Sequence, residues 1–545
     1  MPGRTQKHPS RTCNRILRGL GWAGIVWVGI VLASPAWPQS SDVRYQQALL
    51  AIQQHIEAND LEGARVLISD AIARFPNDGG IENLLGVVEI QQGHADRARQ
   101  AFSAAIQNSP RLVSAYLNLG RVEMETAAED PGGRAQALNV YEKLLKFEPE
   151  NPEANYQAAT LMMWSKQYQG SLNHLARLNA QARSGVGVQS LICADEAGLG
   201  HKEAANRAAA NVIASPDLNE QIAMIILPAL RSARRADLVE RIFAAAGDRH
   251  ALSVQGLRVL GLAQEAEGKL VEARSTLERA YSADPSSVVP LVDLARVANA
   301  SKDYRGALGY LAHARVMRPR DASLAYEFGI TCAQLNLFGE ARKAISEAVA
   351  MEPENPRYNL GMGTVASFEH DPMQALPYLE KYHALRPDDA EGLLALGTTY
   401  FRAKDYDNAA PWLKQAAAKP GTAALAKYYL GSIAREKGNL EEAIADLTES
   451  DRLKPHQPEV MAELGQIYVQ MKRYTDAEKQ LNAALALDPD SYAANFGLLQ
   501  LYVRTGDKRR ADQAKRFEAV KDKNEQESRE MMRVIEIVPQ DKQAQ

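Results

Sequence analysis

The residue types able to do chemistry are present in this chain, but none stands at a working spacing. The ten histidines include no His-x-x-x-His pair, which would place two imidazoles on one helical face as zinc ligands. His94, His201, His370 and His456 fall at turns or late helix positions instead. A phosphate cradle needs a strand, a glycine-rich turn and a lysine. The nearest approach, Gly185-Val186-Gly187, has neither strand nor lysine beside it. No Gly-x-Ser-x-Gly elbow occurs. The carboxylate pairs Asp388-Asp389 and Glu441-Glu442 stand at turn or helix-start positions, where they complement the helix dipole. Cys193 and Cys332 lie within apolar helical patterns and are expected to be buried free thiols. These residues predict no catalytic group, no metal site and no cofactor.

The elements that would position any site are set by a repeat. Pro285, Pro319, Pro353 and Pro387 are 34 residues apart, and so are Gly421, Pro455 and Pro489 continuing the series. Pro76 and Pro110 keep the same step. Pro149 follows after 39 residues, and Pro216 and Pro285 after nearly two periods each. Twelve residues before the prolines comes alanine every time: Ala64, Ala98, Ala137, Ala204, Ala273, Ala307, Ala341, Ala375, Ala443 and Ala477, with Ala409 in the slot before Gly421. Twenty-four before them stand Gly86, Gly261, Gly329, Gly363, Gly397, Gly431 and Gly465. Each period holds two helical patterns, such as Glu459–Met471 and Tyr474–Leu487, split by a polar turn. The small residues would let the two helices approach closely, and the closing proline would end the second. A unit of this kind buries its apolar face only by stacking on neighbours.

In these columns, and in phrases such as LGSIAREKGNLEEAIADLTESDRLKP, the chain resembles the tetratricopeptide repeat (TPR) family over residues 44–505. The resemblance implies an all-α, right-handed superhelical solenoid of 13 or 14 helix-turn-helix units whose first helices line a concave groove. The units begin near residues 45, 79, 113, 152, 185, 219, 254, 288, 322, 356, 390, 424, 458 and 492. If that geometry holds, the groove residues include Arg296, Asn299, Tyr326, Gln334, Phe368, Arg402, Tyr428, Tyr429, Arg435 and Gln470. Aromatics beside guanidinium groups suit extended peptides of acidic or carboxylate character. Trp164 and Trp412 are expected to pack between helices. Five extra residues around Asp130-Pro131-Gly132-Gly133 predict a longer loop in the third unit. Residues 180–253 fit the repeat worst, with Pro228 inside a first helix, and mark either a change of pitch, a hinge or ordinary drift. Residues 506–545 read as a charged capping helix and tail.

Composition and the N-terminus bound the role. Arg4, Lys7, Arg11, Arg15 and Arg18 precede an uncharged run, Gly19 to Ala36, that ends in small residues. That order reads as a secretory signal with cleavage after Ala36, as an uncleaved anchor formed by residues 19–36, or as an incidental apolar terminus, followed by a linker at 37–43. Removing residues 1–36 moves the net charge from −4 to −9, which disfavours nucleic acid as a partner. Any membrane contact would run through the N-terminal segment. Much of the alanine content, 87 residues, belongs to the repeat columns. The chain is therefore expected to be an exported, periplasmic or secreted scaffold, or one anchored in the inner membrane, that binds a protein or peptide partner. An accessory subunit for polysaccharide or lipid-carrier secretion is the alternative. The repeats leave no stretch for a separate catalytic domain, and the oligomeric state is not readable.

Overall fold

Each 34-residue period folds as two antiparallel α-helices in the computed structural model, which describes residues 43–127, 131–368 and 372–533. The expected leader at 1–36, nearly all of the linker and the tail beyond Arg533 lie outside the described residues. Among the described residues there are 29 α-helices, a single 3-10 turn at Pro372–Ala375 and no strand. The protein is an all-α solenoid. First helices begin at Val43, Gly79, Val113, Pro152, Val186, Glu220, Val254, Val289, Ala322, Pro356, Ala390, Ala423, Pro458 and Tyr492, within two residues of the expected starts. Short polar side chains open many of them: Asn151, Asp321, Asn355 and Asp389 each accept an N–H of the first turn. Proline occupies an opening position at Pro152, Pro356 and Pro458, where its missing N–H costs nothing.

The small-residue columns are where the paired helices touch. A methyl group added at Gly465 would sit 2.5 Å from Leu481, and one at Gly431 would sit 2.7 Å from Leu447. Gly329 would meet Ile345 at 2.5 Å and Gly86 would meet Phe102 at 2.4 Å. Gly120 belongs to the same column, 2.4 Å from Tyr141, and the 39-residue step had hidden it. Ala64, Ala98, Ala137, Ala273, Ala307, Ala341, Ala409, Ala443 and Ala477 are all fully buried. One assignment shifts: in the fifth pair the buried alanine is Ala205, and Ala204 is only half-buried. The second helix there begins at Lys202, so the contact position falls one residue later than counting back from Pro216 suggests.

A second column escaped the sequence reading. The residue between paired helices that turns the chain has positive φ, and it is glycine at Gly93, Gly200, Gly268, Gly438 and Gly506. Elsewhere Asn59, Lys166, Lys302, Asn336, Lys404 and Lys472 hold the same left-handed conformation.

The contacts divide the chain into two units, up to Pro285 and from Ser286 onward. In the first unit the extra residues near Pro131 do not make a long loop. The flanking helices, Val113–Ala127 and Pro131–Leu145, are each 15 residues long and leave only three residues between them. Tyr141, Leu144 and Leu161 are fully buried in the core of this part of the stack. Residues 180–253 fit the motif poorly yet pack well. A continuous apolar cluster runs from Ala159 to Ala263 and contains Leu191, Leu218, Ile242 and Phe243. The irregularity lies in the fourth pair, whose second helix stops at Ala176 and is followed by the short Ala180–Ser184 helix capped by Asn179. Pro228 sits on the exposed side of its helix, Glu220–Ser232.

In the second unit the first helices from Val289 to Thr505 form a row, and the charged helix Arg510–Arg533 packs against the last of them. Phe517 lies 4.9 Å from Tyr492 and 5.5 Å from Phe496. Gln513 donates to the backbone carbonyl and side-chain oxygen of Asn495 at 3.0 and 3.1 Å.

Candidate functional site

The residue types suited to catalysis are occupied structurally. Asp389 caps a helix, accepting from the N–H groups of Glu391 and Gly392 at 3.0 and 3.1 Å. Burial raises its carboxyl, but the hydrogen bonds from Tyr382 and these amides outweigh that and lower it. Glu441 and Glu442 stand in the first turn of Leu440–Leu453. Cys193 and Cys332 are free and buried, and burial pushes each thiol up to about 12. Among the described residues no group of three or more His, Cys, Asp or Glu side chains is arranged to hold a metal ion.

The ten expected groove residues all lie in the second unit, in or just past its first helices, and their positions follow the repeat. Gln334, Phe368, Arg402 and Gln470 share one column, the last position of the first helix or just beyond it. Asn299 and Arg435 share the column before it. The structure brings Phe368 and Arg402 together: the Arg402 guanidinium stands 3.5 Å from the Phe368 ring centroid. Phe338 stacks 5.4 Å beyond Phe368, and Phe368 is half-exposed. Tyr428 and Tyr429 pack edge-to-face at 5.3 Å, and Tyr429 meets Phe401 at 5.0 Å. Gln334 and Gln470 are exposed at the ends of their helices.

Most of the remaining candidates are tied to neighbouring repeats. Asn299 donates to the Thr331 hydroxyl at 3.2 Å. Tyr326 is buried, packs on Tyr358 at 5.0 Å and lies under the Arg357 guanidinium, which also pairs with Glu327 at 2.6 Å. Arg435 is 3.3 Å from Glu463 and 2.9 Å from Glu436. Burial works against its charge, but Glu463 and Glu436 outweigh that and raise its pKa. Glu463 also accepts from Ser432 at 3.0 Å, and burial raises the neighbouring Tyr428 hydroxyl. Arg296 lies 3.5 Å from Asp293. The partner residues Phe338, Arg357, Phe401, Ser432 and Glu463 were not singled out in the sequence. Column spacing was the available signal, since Phe401 stands 34 residues before Arg435 and Glu463 stands 34 after Tyr429.

Paired helices of this length, closing on glycine and alanine at a 34-residue step, agree with the family models that match the chain. Tetratricopeptide repeat models match residues 45–113, 132–192, 292–356, 360–423, 434–486 and 463–516, together more than half of it. The chain belongs to the tetratricopeptide repeat family. Its TPR units are protein-interaction modules, and proteins of this kind are generally non-catalytic scaffolds. One stretch of 277 residues is 24% identical to the RNA polymerase-associated protein CTR9 of Caenorhabditis elegans, covering 42% of this chain and 24% of that protein. Another, of 105 residues, is 31% identical to cellulose synthase operon protein C of Pseudomonas fluorescens (strain SBW25), covering 19% of this chain and 8% of that protein. The TPR chain therefore spans less than a quarter of the length of either relative.

Two solved structures are also similar. The APC/C hetero-tetramer Cut9-Hcn1 matches at 15% identity and a TM-score of 0.39, over 84% of this chain and 96% of that one. PilW, described as a widely conserved type IV pilus biogenesis factor, matches at 19% identity and a TM-score of 0.36, over 39% of this chain and 98% of that one. Scores this low carry no argument about role. Among the described residues no helix is long and apolar enough to cross a membrane.

Proposed function

We propose that this TPR protein is a non-catalytic scaffold of the cell envelope that binds an extended polypeptide along the first-helix face of its second unit. The observation that carries this reading is the row of aromatic and guanidinium side chains on that face, Phe368 with Arg402 and Tyr428 with Tyr429, presented by rigid helices. Helices locked by inter-repeat hydrogen bonds bind with little rearrangement, which lowers the ordering cost of association.

The envelope location rests on the basic, apolar, small-residue order of residues 1–36. An exported protein cleaved after Ala36 begins at Trp37, and one anchored by residues 19–36 keeps its leader and sediments with membranes. N-terminal sequencing of the protein from its host distinguishes the two, and an intact leader on a soluble protein would refute both. A second reading, an accessory subunit of polysaccharide secretion, is favoured by the likeness to cellulose synthase operon protein C over its 105 residues.

Photo-crosslinking tests the binding face. A crosslinker at exposed Gln334 or Gln470 should label a polypeptide partner, and one at exposed Val316, in the second helix Tyr304–Met317, should not. Equal labelling from both faces, or retention of a glycan with no polypeptide, would overturn the proposal.

A further inference from the structure

Four arginines on the first-helix face of the second unit differ in their partners. Arg296, Arg357 and Arg435 each lie within ion-pair distance of a carboxylate, on Asp293, Glu327 and Glu463. Arg402 has no carboxylate partner among the described residues, and only uncharged groups hold it. The Phe368 ring lies beneath it, 3.5 Å from Cζ to the ring centroid, and Phe338 stacks on Phe368 with the two rings parallel to within 2°. Nη1 of Arg402 donates to the Ser367 hydroxyl at 3.1 Å and to the Ser367 carbonyl at 3.3 Å.

This arrangement fixes a cation without neutralising it. One face of the guanidinium is desolvated against an aromatic ring, which orients the group and strengthens its pull on an anion. The Nη1 edge is used. Nε–H and Nη2–H, which point the same way in the plane of the group, have no acceptor among the described residues. That free edge is the planar fork that matches both oxygens of a carboxylate. Arg504 provides an internal comparison. It stands in the same column three repeats later, donates to the Val469 carbonyl at 3.4 Å and is exposed. No aromatic ring stacks beneath it among the described residues, so its orientation is not fixed in the same way.

We propose that Arg402, seated on Phe368, is an anchor for a carboxylate of the bound polypeptide, and that an apolar residue beside that carboxylate covers the exposed edge of Phe368. The carboxylate is an Asp or Glu side chain or a chain terminus. The proposal rests on the reading that this face binds a polypeptide. It adds a polarity to the site, since Arg296, Arg357 and Arg435 are spent on internal carboxylates and Arg504 has no ring beneath it among the described residues.

The test is an array of hexapeptides in which one position is fixed as Asp, Glu, Asn or Gln, each with a free or an amidated C-terminus, probed with the full-length protein. Wild type should retain carboxylate peptides at least tenfold better than their amide counterparts, most strongly where an apolar residue is adjacent. The amidated series separates side-chain from terminal carboxylates, and either is a supporting outcome. Arg402→Gln should abolish the preference, and Arg402→Lys should lose most of it, because an ammonium has no planar fork. Phe368→Ala should remove the gain from the apolar neighbour, and Arg504→Gln should change nothing. Circular dichroism of Arg402→Gln should match wild type. A preference retained in Arg402→Gln, one lost equally in Arg504→Gln, or no carboxylate preference in wild type would overturn the anchor. The binding face fails separately: crosslinks from Gln334 and Gln470 that persist in Arg402→Gln overturn the anchor alone, and their absence in wild type overturns the face.

Discussion

The indole N–H of Trp164 donates to the backbone carbonyl of Ile225 at 3.1 Å, across 61 residues of sequence. Ile225 lies three positions before Pro228 in the helix Glu220–Ser232. Pro228 has no N–H to offer the preceding turn, and its ring crowds the carbonyls there. The carbonyl that loses its donor is that of Met224, so a side chain from the fourth repeat binds the helix of the sixth one residue beyond the interruption. The stack stays continuous at Pro228, with Ile226, Leu227, Ala229 and Leu230 all buried around it.

Replacing Trp164 with Phe keeps most of the apolar volume and removes this donor. The expected cost is ~1–2 kcal/mol, the range for losing a hydrogen bond with its acceptor left in a part-buried site. Amide hydrogen exchange should accelerate in residues 220–232 before it does in the second unit. Unchanged protection there would show that the indole bond contributes nothing.

Two glycines predict opposite outcomes for the same substitution. Gly465→Ala forces a methyl group to 2.5 Å from Leu481 and should destabilise by ~1–3 kcal/mol through overpacking. Gly309, exposed within Tyr304–Met317, has no atom within 4 Å of the added methyl. Gly309→Ala should stabilise by ~0.5–1 kcal/mol through helix propensity. Urea unfolding of both variants checks the sign, and a loss of stability in Gly309→Ala would contradict the packing described.

Lys404 and Lys472 hold φ of 60° and 61° at a turn where Gly438 holds 83°. A side chain in that region costs ~1 kcal/mol. Lys404→Gly and Lys472→Gly should therefore raise the melting temperature despite the added freedom of the unfolded chain, and Gly438→Ala should lower it. A fall in both glycine variants would mean that the entropy term dominates.

Asp195 is fully buried beside Ser171, with no cationic side chain paired to its carboxylate among the described residues. Burial raises its carboxyl from 3.8 to about 8. The folded state therefore holds a proton that the unfolded state releases, so stability falls as pH rises from about 4 to about 8. Asp195→Asn removes this slope. Melting temperatures from pH 5 to 9 should decline more steeply for wild type than for the variant, and parallel curves would refute the assignment.

The thiols of Cys193 and Cys332, pushed up to about 12 by burial, should resist alkylation at pH 8 until denaturant is added. Rapid labelling of the native protein would place at least one of them at the surface.

What the sequence determined by itself was whatever repeats. A 34-residue step ties helix starts, small-residue contacts and closing prolines to one local geometry, so the all-α pairing was legible from Gly465, Ala477 and Pro489 alone. The positive-φ column is less plain in the sequence, because Gly93, Gly268 and Gly438 share it with lysine, asparagine and Arg234. The residues of the candidate face could be placed by column. Their state could not, because pairing between repeats depends on how side chains of adjacent first helices meet, and no periodicity encodes that. Arg435 and Arg402 read alike in sequence, one column apart. The tertiary structure gives Arg435 a buried Glu463 and gives Arg402 an aromatic ring with no carboxylate partner among the described residues. The same holds for the stretch 180–253, where apolar residues outside the motif still complete a core. Packing responds to volume and burial, and the motif records only one way of supplying them.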